Sequence, residues 1–266
     1  MDTVKLYLHS VRMLLRSHLQ YPSSFILQTV AQIVMEAGEL MAVLLLISRF
    51  QSMKDWSGGN LLVFFGVMSI AFYLTEFFGR GITGSFASLI RNGTLDAILL
   101  RPRGVLTQVL CSDLDPRRIG CLAVGLTAMV IGCARSEVRW TVLKAAALLE
   151  AIGFGVMLIL GLFLIEAVFS IYSVKSLEMV NALTYGGRSA CEYPVDVFPK
   201  PIRLIFSVIA PFSLTLHVPT AYILGKPLFG WPEWTAFVCP LAGACLFAVM
   251  QLIFGRALRH YRSTGS

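Results

Sequence analysis

Apolar residues along this chain gather into long blocks instead of recurring singly at the period of a half-buried helix or strand. The blocks run approximately Phe25 to Ile47, Leu61 to Phe78, Ile119 to Cys133, Val142 to Phe169, Ile202 to Leu216 and Ala236 to Phe254. A helix needs about 20 residues to cross ~30 Å of hydrocarbon, and several blocks reach that length; the third and fifth are shorter. Inside a bilayer the backbone has no water to bond, so each block must close its hydrogen bonds within itself, as a helix. The pattern predicts an all-α, polytopic membrane protein with about six transmembrane helices, forming one domain over residues 1–266.

Polar positions between the blocks set the orientation. With an even number of crossings both termini share one side. If that side is the cytoplasm, the inner segments hold Lys5, Arg12, Arg16, Arg80, Arg91, Arg101, Arg103, Arg117, Arg118, Lys175, Arg188, Lys200, Arg203, Arg256, Arg259 and Arg262. The outer loops keep Arg49, Lys54, Arg135, Arg139, Lys144 and Lys226, an asymmetry that selects cytoplasmic termini. Trp56, Trp140, Trp231 and Trp234 all fall in the outer segments, where amphipathic rings favour the interface. Before the first block, Tyr7, Val11, Leu14 and His18 recur at helical spacing while Lys5, Arg12 and Arg16 share another face, so residues 1–24 read as an amphipathic helix on the inner leaflet. A cleaved signal peptide fits less well, because the following block is too long and lacks a small-x-small site.

Composition agrees. The chain is 56% hydrophobic and 14% charged, with mean hydropathy +0.74, against about 25% charged in a soluble domain. Its net charge of +7 belongs to topology, since no basic stripe with interleaved aromatics marks a nucleic-acid surface. Cys111, Cys121, Cys133, Cys191, Cys239 and Cys245 are scattered without a CxxC pair, and neither a zinc site nor a disulfide framework is expected.

Candidate chemistry lies in the inner loops and in the spans. Gly79-Arg80-Gly81-Ile82-Thr83-Gly84 matches GxGxxG but follows a membrane helix rather than a strand, so it reads as flexibility at a helix end. No GxxxxGK[ST] occurs, so any ATP is handled by another chain. In the loop 79–117, Gly93 is placed to end one helix in the left-handed region, Thr94 to cap the next and Pro102 to stop it. The result is a compact helical knob whose apolar residues, flanked by Arg and Asp, suit docking into a partner's groove or resting on lipid. Glu36 and Glu39 sit near mid-span, three residues apart on one helical face. At about 3 kcal/mol each they argue against facing lipid. They either line a translocation path that attracts cationic groups, or pair or sit protonated inside the bundle. Glu76 and Glu166 lie nearer the inner ends of their spans, and Glu166 is a further candidate for the path.

The second inner loop reads Asn181-Ala182-Leu183-Thr184-Tyr185-Gly186-Gly187, then Tyr193-Pro194-Val195-Asp196-Val197-Phe198-Pro199, leading through Arg203 to Pro211. Together with Gly93-x-Leu95-Asp96-x-x-Leu99-Leu100-Arg101-Pro102, it resembles the membrane subunit of type 2 ATP-binding cassette (ABC) transporters of the small bacterial permease group, over nearly the whole chain. The resemblance implies a permease without catalysis or cofactor of its own, paired with a same or related permease in the lipid of the bacterial inner membrane. Two separate cytoplasmic ATPase subunits, holding ATP and Mg, would drive it. It implies export of lipophilic or amphipathic compounds, antibiotics among them. It implies an ATPase-coupling surface made by the N-terminal helix with Leu89, Arg91, Gly93, Leu95, Asp96, Leu99, Arg101 and Pro102, and an external, partly re-entrant segment at 211–235. Where that family often carries aromatic residues before the final proline, this chain has Leu216-His217-Val218. The rival reading is an ion-coupled secondary transporter using Glu36 and Glu39, which predicts paired broken helices in internal repeats; no such repeat stands out. A membrane enzyme would need a nucleophile–base or metal-ligand constellation, and none stands out either.

Overall fold

The computed structural model describes residues 11–17, 20–50, 52–53, 56–172 and 177–261. Residues 11–17 are helical, with Val11 and Leu14 half-buried and Arg12 and Arg16 exposed; Lys5, Tyr7 and His18 of the expected amphipathic pattern lie outside the described residues. The long helices are α1 (Pro22–Phe50), α2 (Gly58–Arg80), α6 (Arg118–Arg135), α7 (Val142–Tyr172) and α12 (Leu241–His260). Shorter ones are α3 (Phe86–Arg91), α4 (Thr94–Leu99), α5 (Val105–Leu110), α8 (Leu177–Cys191), α9 (Lys200–Leu204), α10 (Val218–Ile223) and α11 (Thr235–Val238). A two-residue antiparallel pairing, Ser52–Met53 with Trp56–Ser57, joins α1 to α2. The chain is all-α and polytopic. Among the described residues, five helices are long and apolar enough to cross a membrane, and one bent pair passes the same test only when its two arms are taken together.

Helix α2 is the centre of the bundle, buried nearly all round, as a helix apolar on every face must be. It lies antiparallel to α6 at backbone distance because small residues alternate along the seam. A methyl group added to Gly66 would stand 2.5 Å from Met129 Cβ and 2.7 Å from the Gly125 carbonyl oxygen, and one on Gly132 2.7 Å from the Val63 amide nitrogen. Tails of lipid are as apolar as leucine, so such close packing, rather than hydrophobicity, holds membrane helices together. The pair α7 and α12 repeats the device, with Gly243 against the Phe154 carbonyl. Around these pairs, Phe72, Phe86, Phe163, Leu158 and Phe212 form the main core.

The ends of α2 define the two ends of the molecule. Trp56 marks one, and Arg80 the other. At the arginine end, α2 does not stop at the glycines: it continues through a π turn, Gly81–Ser85, into α3. Gly81 is there for closeness, since an added methyl would lie 2.0 Å from the Val109 carbonyl oxygen of α5. That corrects the expectation of flexibility at a helix end.

A larger correction concerns residues 177–223. The sequence predicts 181–199 as an inner loop and Ile202–Leu216 as a span. Instead α8 starts close after α7 ends at the arginine end, and its residues then climb the bundle. Tyr185 reaches Glu76 of α2, Arg188 reaches Glu36 of α1, and the Val195 amide reaches His217, which packs on Trp56 and Phe64 at the tryptophan end. Helix α9, extended by the π turn Ile205–Ile209, and α10, preceded by the π turn Ser213–His217, form a pair bent by 85°. Arg203 at its start binds the carbonyls of Asp196 and Phe198, its bend sets Phe212 against Gly187, and its exit is tied by Lys144 Nζ to the Ile223 carbonyl at 2.7 Å. Both arms therefore open at the tryptophan end, and the bent pair is a re-entrant element running over 200–223. Lys200 and Arg203 move to the tryptophan end and Arg188 moves inside; the arginine asymmetry narrows but keeps its sign among the described residues.

Candidate functional site

Buried charge within the bundle converges on one nitrogen. Glu36, 1% exposed, accepts from Ser69 Oγ at 2.8 Å, from the Tyr73 hydroxyl and from Arg188 Nη2 at 2.7 Å. The same Nη2 donates to Glu39 Oε2 at 2.6 Å and stands 3.4 Å from Glu192 Oε1. The guanidinium lies over the rings of Phe72 and Tyr73, at 5.0 and 4.8 Å from their centres, which adds a cation–π attraction. A guanidinium nitrogen of this type carries two hydrogens. Glu36 and Glu39 use both, and Glu192 Oε1 is left without a hydrogen bond although buried. Of the three carboxylates, only Glu39 reaches the surface of the chain, with 42% of its side chain exposed.

Local sequence explains why Arg188 and Glu192 escaped notice. Among the described side chains of α8, over residues 181–191, the buried positions are Thr184, Gly187, Arg188 and Cys191, spaced i, i+3, i+4, i+7. They form a helical stripe, but of small and polar residues, so hydropathy passes over it. The i, i+4 pair Arg188 and Glu192 was the available signal. Glu36 and Glu39 are thus both brought into one cluster, each paired with Arg188. Glu166 lies elsewhere: it is buried on α7 with Oε2 unbonded and does not join them.

Toward the arginine end the network continues. Glu76 accepts from Tyr185 at 3.1 Å and pairs with Arg118 at 2.9 Å, while Arg118 and Arg117 hold Asp115 at 3.3 and 2.5 Å. Burial raises the Asp115 pKa, but the Arg117 hydrogen bond and the arginine charges around it outweigh that and hold the carboxyl below its ordinary range. Arg117 also meets Gln28 of α1.

The knob at this end is α3, α4 and α5. Gly93 is left-handed, φ 66°, and turns the chain between α3 and α4 as its sequence position predicts. Thr94 does not cap α4; it is the first helical residue and its hydroxyl donates to the Leu89 carbonyl. The footing is firm: Leu95 is fully buried, Ile98 is buried, Gln108 binds the Ile98 and Arg103 carbonyls, and Ser85 donates to Asp113 at 3.0 Å. Leu89 is partly buried against the core, and Asp96 is within electrostatic reach of Tyr261 at the end of α12. Of the residues expected on a docking surface, Leu89, Leu95 and Asp96 therefore build the knob's seat. Arg91, Leu99, Arg101 and Pro102 stand outside, joined by Leu100, 86% exposed. A cleft of ≈ 510 Å³ opens beside them between Ile98, Arg103, Gln108 and Ser112.

At the opposite end His217 fills the place expected of an aromatic residue. It is buried between Phe64 and Phe229, edge-on to Trp56, with Nδ1 accepting the Val195 amide. Trp56 is consequently inside the fold, while Trp140, Trp231 and Trp234 are exposed as interfacial residues are.

Residues 33–265 match the family model described as ABC-2 family transporter protein. No curated protein and no solved structure matches the chain.

Proposed function

Since the chain belongs to the ABC-2 family of transporter proteins, as the membrane-embedded permease of an ABC transporter, we infer that it is one half of the translocation path of an exporter for lipophilic or amphipathic molecules. The family implies association with an ABC ATPase subunit. In this reading two such subunits, carrying ATP and Mg, dock on the arginine end, which faces the cytoplasm of a bacterial cell, and a second permease, same or related, completes the path in the inner membrane.

The observation that carries the reading is the knob. Two exposed leucines, Leu99 and Leu100, with the exposed Arg91, Arg101 and Arg103 before and after them in the chain, stand on a seat made of core residues. An apolar tip on a mobile loop would dissipate a push; one whose footing is Leu95, Ile98 and the π turn of α2 transmits it to the central helix. A conformational change is driven only by differential contacts in two states, and this rigid lever is where a partner's closure gains purchase.

The test is purification in mild detergent with identification of copurifying chains. An ATP-hydrolysing partner is expected with the wild type. The double substitution Leu99→Asp, Leu100→Asp should lower its recovery, and the ATP hydrolysis of the complex, at least ten-fold while leaving the permease monodisperse. Full recovery and hydrolysis with the double variant would remove the knob from the coupling surface.

A further inference from the structure

The cluster on Arg188 is unbalanced, and its imbalance is directional. Three carboxylates face one guanidinium, and among the described residues Glu39 and Glu192 have no other ion-pair partner. The next cation along the network, Arg118, is occupied by Glu76 and Asp115. Glu36 is fully satisfied by three donors. The unsatisfied capacity is therefore on Glu192, 4% exposed with Oε1 unbonded and pointing at the shared nitrogen, and on Glu39, whose carboxylate is half open. Buried charge without a counter-charge is costly, and more so at membrane depth; a cation entering at Glu39 would relieve it.

The surroundings of Glu39 describe the rest of that cation. On the same face of α1, Met35 is 74% exposed, Gly38 has open space where a side chain would project, and Ala42 is exposed. The approach is apolar and uncrowded. We propose that Glu39 and Glu192, held apart by Arg188, form a binding site for the charged head of a monovalent amphipathic organic cation, whose apolar body lies along Met35, Gly38 and Ala42. Arg188 is the positioning residue. It holds both carboxylates on one nitrogen, Glu39 at 2.6 Å and Glu192 at 3.4 Å, while Glu36 anchors it from behind. The proposal rests on the permease reading and names the charge of its substrate.

Binding is measured on the full chain, with whatever subunits copurify, in lipid nanodiscs without ATP. The probe is radiolabelled tetraphenylphosphonium, with tetraphenylborate, of the same size and opposite charge, as the counter-probe. Saturable phosphonium binding is expected, weakened at least ten-fold in Glu39→Gln and in Glu192→Gln, with no saturable binding of tetraphenylborate measured in a separate experiment. In the wild type, phosphonium should also protect Glu39 from modification by dicyclohexylcarbodiimide, a readout independent of any variant's folding. Non-saturable uptake, wild-type affinity in both variants, or absence of protection overturns the site. Those results with an ATPase partner still attached would leave the permease reading standing; a saturable site with no ATPase partner would do the reverse.

Discussion

Arg188 shows how unequal the members of one ion cluster are. Taking a charge away from a buried pair costs more than the pair itself contributes, because the remaining partner stays desolvated. Arg188→Leu leaves three carboxylates facing one another without a counter-charge, whereas Glu36→Leu leaves the guanidinium with Glu39 and Glu192. We expect Arg188→Leu to cost about 3–5 kcal/mol, seen as a markedly lower melting temperature in detergent, and Glu36→Leu to cost clearly less. Equal losses would mean that packing, not charge, governs the site. The two glutamates on α1 were legible because acids are conspicuous in an apolar block. Their partner was not, because a Gly-Gly pair and a following Tyr-Pro made its helix look like a loop, and no rule of spacing links positions separated by 152 residues.

At the scale of elements, the helices that sequence defines best are those whose length and apolarity suffice alone: α1, α2, α6, α7 and α12 begin and end within a few residues of their apolar blocks. Their pairing depends on something subtler. Gly59 and Gly66 on α2 are seven residues apart, as are Gly125 and Gly132 on α6, and both pairs face the same seam. Replacing Gly66 by Val would force the helices apart against the Met129 side chain and the Gly125 carbonyl. Overpacking of this kind costs typically 1–3 kcal/mol. A drop in melting temperature larger than that of Gly153→Val, where nothing lies within 4 Å, is the expected outcome; comparable drops would refute the seam. The element misread was the bent pair, whose residues are apolar enough for a span but whose chain bends by 85° between Ile209 and Ser213. Ile202, Leu204, Ile205, Val208 and Ile209 are exposed there, so hydropathy alone does not separate an arm that dips into lipid from one that crosses it.

For the whole molecule, the two ends carry different tasks, and sidedness is the property that connects them. In a background with the native cysteines replaced, Arg103→Cys and Arg139→Cys place single thiols at the arginine and tryptophan ends. A membrane-impermeant maleimide applied to intact cells should label the second and not the first until the cells are opened; the opposite pattern would invert the proposed orientation. By itself the sequence determined that the chain lives in a bilayer, where its main spans lie and that Gly93 turns a knob at one end, because these follow from the cost of burying backbone and charge in hydrocarbon and from the permitted dihedrals of a single residue. Only the tertiary structure decided that α8 carries Arg188 into the bundle, that the following apolar segment re-enters instead of crossing, and which knob residues face outward. Those outcomes depend on pairings between distant helices, and the energy of such a pairing belongs to neither segment until both are packed.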